Sequence, residues 1–338
     1  MVGNEELRRP GGYVVQVLAV AACYYAVARL GLIRELTVEG AVVTPLWPAS
    51  GVALAALLIL GLRYWPGIAL GAFFSVLSLT TPDIWVLCVL FGNTAAPLCA
   101  VLLLRRAGFR TDLGRLRDGL ALVFLAALTA TLVSATVGVG VLVLKGSLAA
   151  HSFWPVWLAW WVGDAMGVLI ITPLLLMLHQ ARRPLPLRRW KEATALVVVS
   201  CLLVPPAVYS SYSMLFLVYP LIIWAALRFQ LVGSVLCALF TSVLATVAAT
   251  DGVGAFADLT RIQIMVKLQA FNGSMALTAL LLSAVITEQR NTRRSVEKAC
   301  QELVEVLEHL TAGEAPPPRP HAEAGDDTED RPWPTGAP

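Results

Sequence analysis

Asp164 is the residue from which chemistry is read first. It stands in the stretch Trp157 to Leu176, "WLAWWVGDAMGVLIITPLLL", a run long and apolar enough to cross a bilayer as a helix. A carboxylate at that depth is costly, and ionisable groups so placed mark ligand pathways, ion pathways or proton relays. Such a group calls for a cation or a good hydrogen-bond donor nearby. Arg29, in the first apolar run, and Asn93, in the fourth, are the two candidates. Counting about 1.5 Å per residue puts Arg29 about 6 Å deep and Asp164 about 15 Å deep, a gap that an extended arginine nearly closes. One alternative is a buried polar contact that locks helices together and senses nothing, and another is a carboxyl kept protonated at neutral pH by desolvation.

The elements around Asp164 decide what it can meet. Gly163 and Gly167 form a Gly-x-x-x-Gly pair whose missing side chains let another backbone come close. Trp154, Trp157, Trp160 and Trp161 gather toward one end of the same run, as an interfacial aromatic belt does. A second stretch, "TPLWPASGVAL" at residues 44 to 54, carries Pro45 and Pro48, which remove backbone donors. Ser50 and Gly51 follow, able to satisfy or approach the freed carbonyls. Helices broken in this way line cavities in transporters and receptors, and they also occur as plain kinks. Gly51, together with Gly67 and Gly71 in "GLRYWPGIALGAFF", is a candidate for close helix packing.

The composition fixes the solvent in which these elements pack. Of 338 residues, 58% are hydrophobic and only 14% charged, and the mean hydropathy is +0.74. Too few polar residues remain to cover a surface in water, which predicts an all-α polytopic membrane protein embedded in the lipid bilayer. Apolar runs occur at 13–33, 41–62, 66–80, 84–104, 119–144, 154–178, 194–210, 212–228, 231–249 and 267–286. These predict about ten transmembrane helices, eight if the short run at 66–80 and the one broken by Pro205 and Pro206 do not span. With this alternation Arg34, Lys145, Arg261 and Lys267 fall on one side, while the clusters at 105–117, 182–191 and 290–298 fall on the other. The positive-inside rule then places both termini in the cytoplasm. Arg8 and Arg9 before an apolar run resemble a secretory signal, but the run continues to Ile33, which favours a retained first helix.

Several function classes find no support. The six cysteines include no Cys-x-x-Cys pair and the four histidines form no cluster, so neither a metal site nor a cofactor is expected. No Walker loop, Gly-x-Ser-x-Gly elbow, His-Glu-x-x-His, kinase or cyclase signature is present, so the reading is not that of an enzyme. Nor is there a basic stripe interleaved with aromatics, so no nucleic acid partner is expected.

After Ile286 the composition turns polar. Val296, Cys300, Leu303, Leu307 and Leu310 step by four, three, four and three, an a/d seam of about two heptads. It suits a short coiled coil pairing two copies of the chain, or a solvated amphipathic helix that pairs with nothing. From Thr311 the sequence is rich in Pro, Ala and acidic residues and reads as disordered. The expected organisation is residues 1–12 as a cytoplasmic start, 13–290 as the membrane domain, 291–310 as the cytoplasmic helix and 311–338 as the tail.

"PLWPASGVALAALLILGLRYWPGIALGAF", "GNTAAPLCAVLLLRRAGF" and "WLAWWVGDAMGVLIITPLLL" resemble, in order and spacing, the membrane-associated sensor family abbreviated MASE, first class. The resemblance covers roughly residues 13 to 295. It implies a bacterial inner-membrane sensor module of eight to ten helices, which usually precedes a kinase, cyclase, phosphodiesterase or phosphatase output domain. Here the seam and tail stand where that domain would begin. The resemblance carries over Trp47, Pro48, Ser50, Gly51, Trp65, Pro66, Gly67, Gly92, Asn93, Trp160, Trp161, Gly163, Asp164, Gly167 and Pro173 as a candidate cavity lining.

Three functions stay open on these grounds. The first is a sensor for a small ligand or membrane partner that relays a packing change to its cytoplasmic helix. An ion-coupled transporter or permease also suits proline-broken helices and a buried acid. The third is a non-catalytic membrane partner of a separately encoded kinase, cyclase or phosphatase.

Overall fold

The computed structural model describes residues 10–180, 190–210, 212 and 214–311. Arg8, Arg9, the arginine cluster at 182–189 and the expected tail beyond Thr311 lie outside the described residues. The chain divides into two bodies, Met1–Gln289 and Arg290–Pro338.

The first body is helical, with one short hairpin. Its elements in order are α1 (Pro10–Leu32), β1 (Leu36–Val38), β2 (Ala41–Val43), α2 (Pro48–Leu60), α3 (Trp65–Leu77), α4 (Ile84–Arg106) and α5 (Leu116–Ala121). A π-helical segment (Leu122–Ala130) leads into α6 (Thr131–Leu144). Then come α7 (Phe153–Gln180), α8 (Trp190–Tyr209), α9 (Val218–Asp251) and α10 (Arg261–Thr311), the last belonging to the first body as far as Gln289.

Seven helical stretches among the described residues are long and apolar enough to cross a membrane. Their outward faces carry large apolar residues such as Leu18, Leu87, Phe91, Phe124 and Leu202, which in water would be a liability and in lipid are the required surface. The chain is an all-α, multi-pass membrane protein.

The apolar run at 41–62 is not one helix. Residues before a proline avoid the α region, and Pro45 and Pro48 restrict Thr44 and Trp47 in succession. Helix α2 begins only at Pro48, and the residues before it form β2 and an extended link. The hairpin turns through Glu39 and Gly40, both at positive φ (51° and 83°), the conformation a tight two-residue hairpin requires. At 13 residues each, α2 and α3 are about 20 Å long, short of the roughly 30 Å hydrocarbon core.

Helix α9 breaks at Gln230, whose φ of 55° is a left-handed backbone with neither Gly nor Pro to explain it. The break separates the predicted runs at 212–228 and 231–249. Side-chain contacts then pair the helix ends. Arg34 to Asp251 (2.7 Å), Lys145 to Asp83 (3.2 Å) and Ser152 to Glu39 (3.2 Å) gather one end around the hairpin. Tyr13 to the Arg63 carbonyl (2.9 Å), Gln180 to the Thr111 carbonyl (2.7 Å), Arg228 to Glu192 (2.8 Å) and the Leu116 N–H to Glu288 (3.1 Å) mark the other. The seven long stretches and the short α2 and α3 thus run between these two ends among the described residues.

Helix α7 is the central strut. Val156 and Ala159 belong to an apolar core shared with α8, α9 and α10. Ala165, Met166, Val168, Leu169, Ile170 and Leu176 belong to a second core shared with α1 to α4, which α9 and α10 also reach through Leu231, Val235, Ala276 and Leu280.

The second body, by itself, is described over residues 290–311 as helix. Arg293–Glu297 (2.8 Å) and Lys298–Glu302 (3.9 Å) are pairs one turn apart, worth only a few tenths of a kcal/mol each, about 0.3–0.5. Val296, Cys300, Leu303, Leu307 and Leu310 are all exposed in this single chain.

Candidate functional site

The site is built where the extended link before α2 is laid along α7. The Trp47 N–H donates to the Gly163 carbonyl at 2.9 Å, and Thr172 Oγ1 donates to the Gly51 carbonyl at 3.1 Å. The Thr44 carbonyl oxygen sits against Gly163, the Trp47 carbonyl oxygen against Gly167, and Gly167 in turn against Gly51. Any side chain at these three positions would collide with backbone, so the glycines form the track on which the broken element rests. Gly67 and Gly71 do the same on α3, where Cβ atoms would stand 2.6 Å from the Val17 carbonyl oxygen and 2.7 Å from Tyr24 Cβ of α1.

This packing brings the start of α2 about halfway along α7, beside Asp164. The carboxylate is 1% exposed. Ser50, in the first turn of α2, donates to Oδ1 at 2.6 Å, and Ser134 of α6 donates to Oδ2. The positive end of the α2 dipole favours an anion at this point, as it does in transporter half-helices. Two hydroxyls from two different helices, with the Trp160 side chain as a third donor, thus hold a carboxylate that no cation reaches among the described residues.

The expected ion pair with Arg29 is therefore absent. Arg29 lies exposed on α1, and the two serines take the place assigned to it. Hydroxyls suffice because they donate at short range without a second buried charge, whose desolvation would cost several kcal/mol, roughly.

Above the carboxylate lies a cavity of about 310 Å³. Asp164, Trp160, Asn93, Trp47, Thr44 and Ser75 contribute its polar and aromatic lining, Val86, Val89, Val141 and Leu142 its apolar wall, and the hairpin residues Ala41 to Val43 its cover. Lys145 stands at the lining too, engaged with Asp83 at 3.2 Å. Pro48 and Ser50 frame the floor rather than line the space. The Trp160 ring lies on Gly138, where a Cβ would be 2.9 Å from it. Trp161 points elsewhere: its Nε1 donates to the Leu128 carbonyl at 2.9 Å, inside the π segment, and Trp157 stacks on it at 5.6 Å. A π run leaves such carbonyls differently placed from those of an α-helix, and the indole takes up one of them.

Sequence reasoning passed over Ser134, Ser75, Trp85, Lys145 and the hairpin cover. Of these, "LTVEGAVV" carried a legible signal, two alternating triplets around Glu-Gly. Ser134 carried none beyond being a hydroxyl in an apolar run.

Residues 16–290 match the MASE1 family. The chain belongs to the MASE1 family. MASE1 is a family of membrane-associated sensor domains, sensory and non-catalytic, which gives the cavity a membrane sensory setting. No curated protein and no solved structure matches the chain. Within the MASE1 stretch the Trp-Pro-x-Ser-Gly residues Trp47 to Gly51 and the Trp-Trp-x-Gly-Asp residues Trp160 to Asp164 meet at one point, the floor of the cavity.

Proposed function

We propose that this MASE1 chain is a sensor of the bacterial inner membrane, with both termini in the cytoplasm and the hairpin end facing outward. It binds a small ligand in the cavity over Asp164 and relays a change of packing to α10. It performs no catalysis itself and acts on a kinase, cyclase or phosphatase carried by another chain or segment.

The observation that carries the reading is the broken helix. A half-helix whose first turn holds a buried carboxylate, under a lined cavity, is an arrangement in which a ligand can shift helix packing by small displacements. The same α7 that supplies Asp164 and Trp160 is also tied to α10, since Gln269 Nε2 donates to the Ala159 carbonyl at 2.9 Å. Farther along, α10 meets α9 through Ser283 and Ser234 at 2.7 Å and receives the α5 amide of Leu116 on Glu288. A ligand biases this assembly only by binding one arrangement more tightly than another.

A thermal-shift screen of the purified full chain against a metabolite library tests the reading, with Val89→Trp as a cavity-filled control. The expected hit raises the melting temperature of the wild type, not of V89W, and changes hydrogen exchange across residues 280–310. Hits that act equally on both proteins, or that leave exchange in α10 untouched, count against it. Thiol-reagent labelling of a cysteine placed at Gly40 in intact cells checks the outward orientation of the hairpin.

A further inference from the structure

The cavity is chemically lopsided. Its floor carries a carboxylate, while the other charged side chain at its lining, Lys145, is already paired with Asp83 at 3.2 Å. Ser50 and Ser134 each give Asp164 one hydrogen bond, and the Trp160 side chain supplies a third donor to the same carboxylate. A carboxylate offers about four acceptor sites, so about one remains for a ligand. The α2 N-terminus offsets about half a unit charge, which leaves the floor negative in a low-dielectric surrounding. Trp47, Trp85 and Trp160 line the same space, and indole rings attract cations.

Together these features define a complement. An inorganic cation wants roughly six oxygen ligands at short range, whereas valine, leucine and tryptophan dominate this lining. An anion meets Asp164 unscreened. A neutral apolar molecule leaves the remaining acceptor site and the charge of the carboxylate unmatched. Resting on the reading of the cavity as a ligand site, we propose that it takes a small monovalent organic cation, an ammonium or guanidinium on an apolar or aromatic body, with its charged head on Asp164. A volume of about 310 Å³ lies at the small end of ligand pockets and suits one ring or a short chain.

Three probes of similar shape and different charge test this: phenethylammonium, phenethyl alcohol and 3-phenylpropionate, titrated calorimetrically into the full chain in lipid nanodiscs. The cation binds at least about 20-fold more tightly than either of the others, the scale of a desolvated charge interaction. In Asp164→Asn the preference falls below about threefold, as expected when only the charge is removed. The wild-type series decides even if that variant does not fold: equal binding of the three, tighter binding of the carboxylate, or no binding of the ammonium overturns the proposal. Tighter binding of the carboxylate that Val89→Trp abolishes leaves the ligand-cavity reading standing and sinks only the cation. Ammonium binding that survives V89W lies outside the cavity and sinks both. Ammonium binding that V89W abolishes but that leaves exchange in α10 unchanged upholds the cation and sinks the sensor reading.

Discussion

The carbonyl oxygen of Trp47 occupies the place that a side chain on Gly167 would need. The broken element before α2 can lie on α7 only because that position is glycine. Gly167→Ala therefore pushes the two backbones apart at the floor of the cavity, at a cost of about 1–3 kcal/mol for overpacking. Gly140→Ala on α6 is the control, since nothing lies within 4 Å of a Cβ there and alanine is the better helix former. Thermal unfolding of the detergent-solubilised proteins should show a clear loss for the first and none, or a small gain, for the second. Equal behaviour would mean that the contact bears no strain.

Asp164 should depend on its two serines and they on it. Ser50→Ala and Ser134→Ala each strip one hydroxyl from a buried carboxylate, with an expected loss of about 1–3 kcal/mol apiece. In an Asp164→Asn background the same changes should cost less than half as much. A double-mutant cycle on unfolding free energies reads this coupling. Additive losses would show that the serines support the helices and not the carboxylate.

How far this site could be read from sequence depends on whether a residue's role is local. Asp164 and the glycines around it announce themselves, because a charge or a missing side chain inside an apolar run is anomalous wherever the run packs. The proline pair likewise announces a break, though not that the chain before Pro48 would be extended and close a cavity. The partner of Asp164 was not legible in the same way. Arg29 is the conspicuous cation at nearby depth, yet depth says nothing about which face of α1 meets α7. Ser134 is inconspicuous because a serine in a membrane helix usually bonds its own backbone. The separation of helices was readable from the apolar runs, including the break at Gln230, which falls between the runs at 212–228 and 231–249; the π segment was not, since no Pro or Gly within it marks it.

Asn272 is fully buried on α10, and its side-chain oxygen and nitrogen have no hydrogen-bond partner among the described residues. The antiparallel contact of Ser234 with Ser283 and with the Ala279 carbonyl puts Thr241, two turns on, level with it, and the Thr241 hydroxyl is also buried without a partner. Replacing an unmatched buried amide by a hydrocarbon of similar size removes its desolvation cost. Asn272→Leu is expected to raise the unfolding midpoint by the equivalent of about 1–2 kcal/mol. A lowered midpoint would show that the amide holds something the fold requires.

The second body yields a prediction about assembly. Val296, Cys300, Leu303 and Leu310 are exposed along one seam, on a helix whose short-range ion pairs are too weak to account for apolar residues at that spacing. Two heptads are marginal alone, but two copies held in one membrane meet at a high effective concentration. A chain carrying Cys300 as its sole cysteine should form a disulfide-linked dimer on mild oxidation in native membranes, because a seam position brings the two thiols close. Leu303→Glu, three residues away on the same face, should reduce that product severalfold by placing two carboxylates in the seam. A Cys300 that reacts freely with a maleimide yet gives no dimer would assign this stretch to a solvated helix instead.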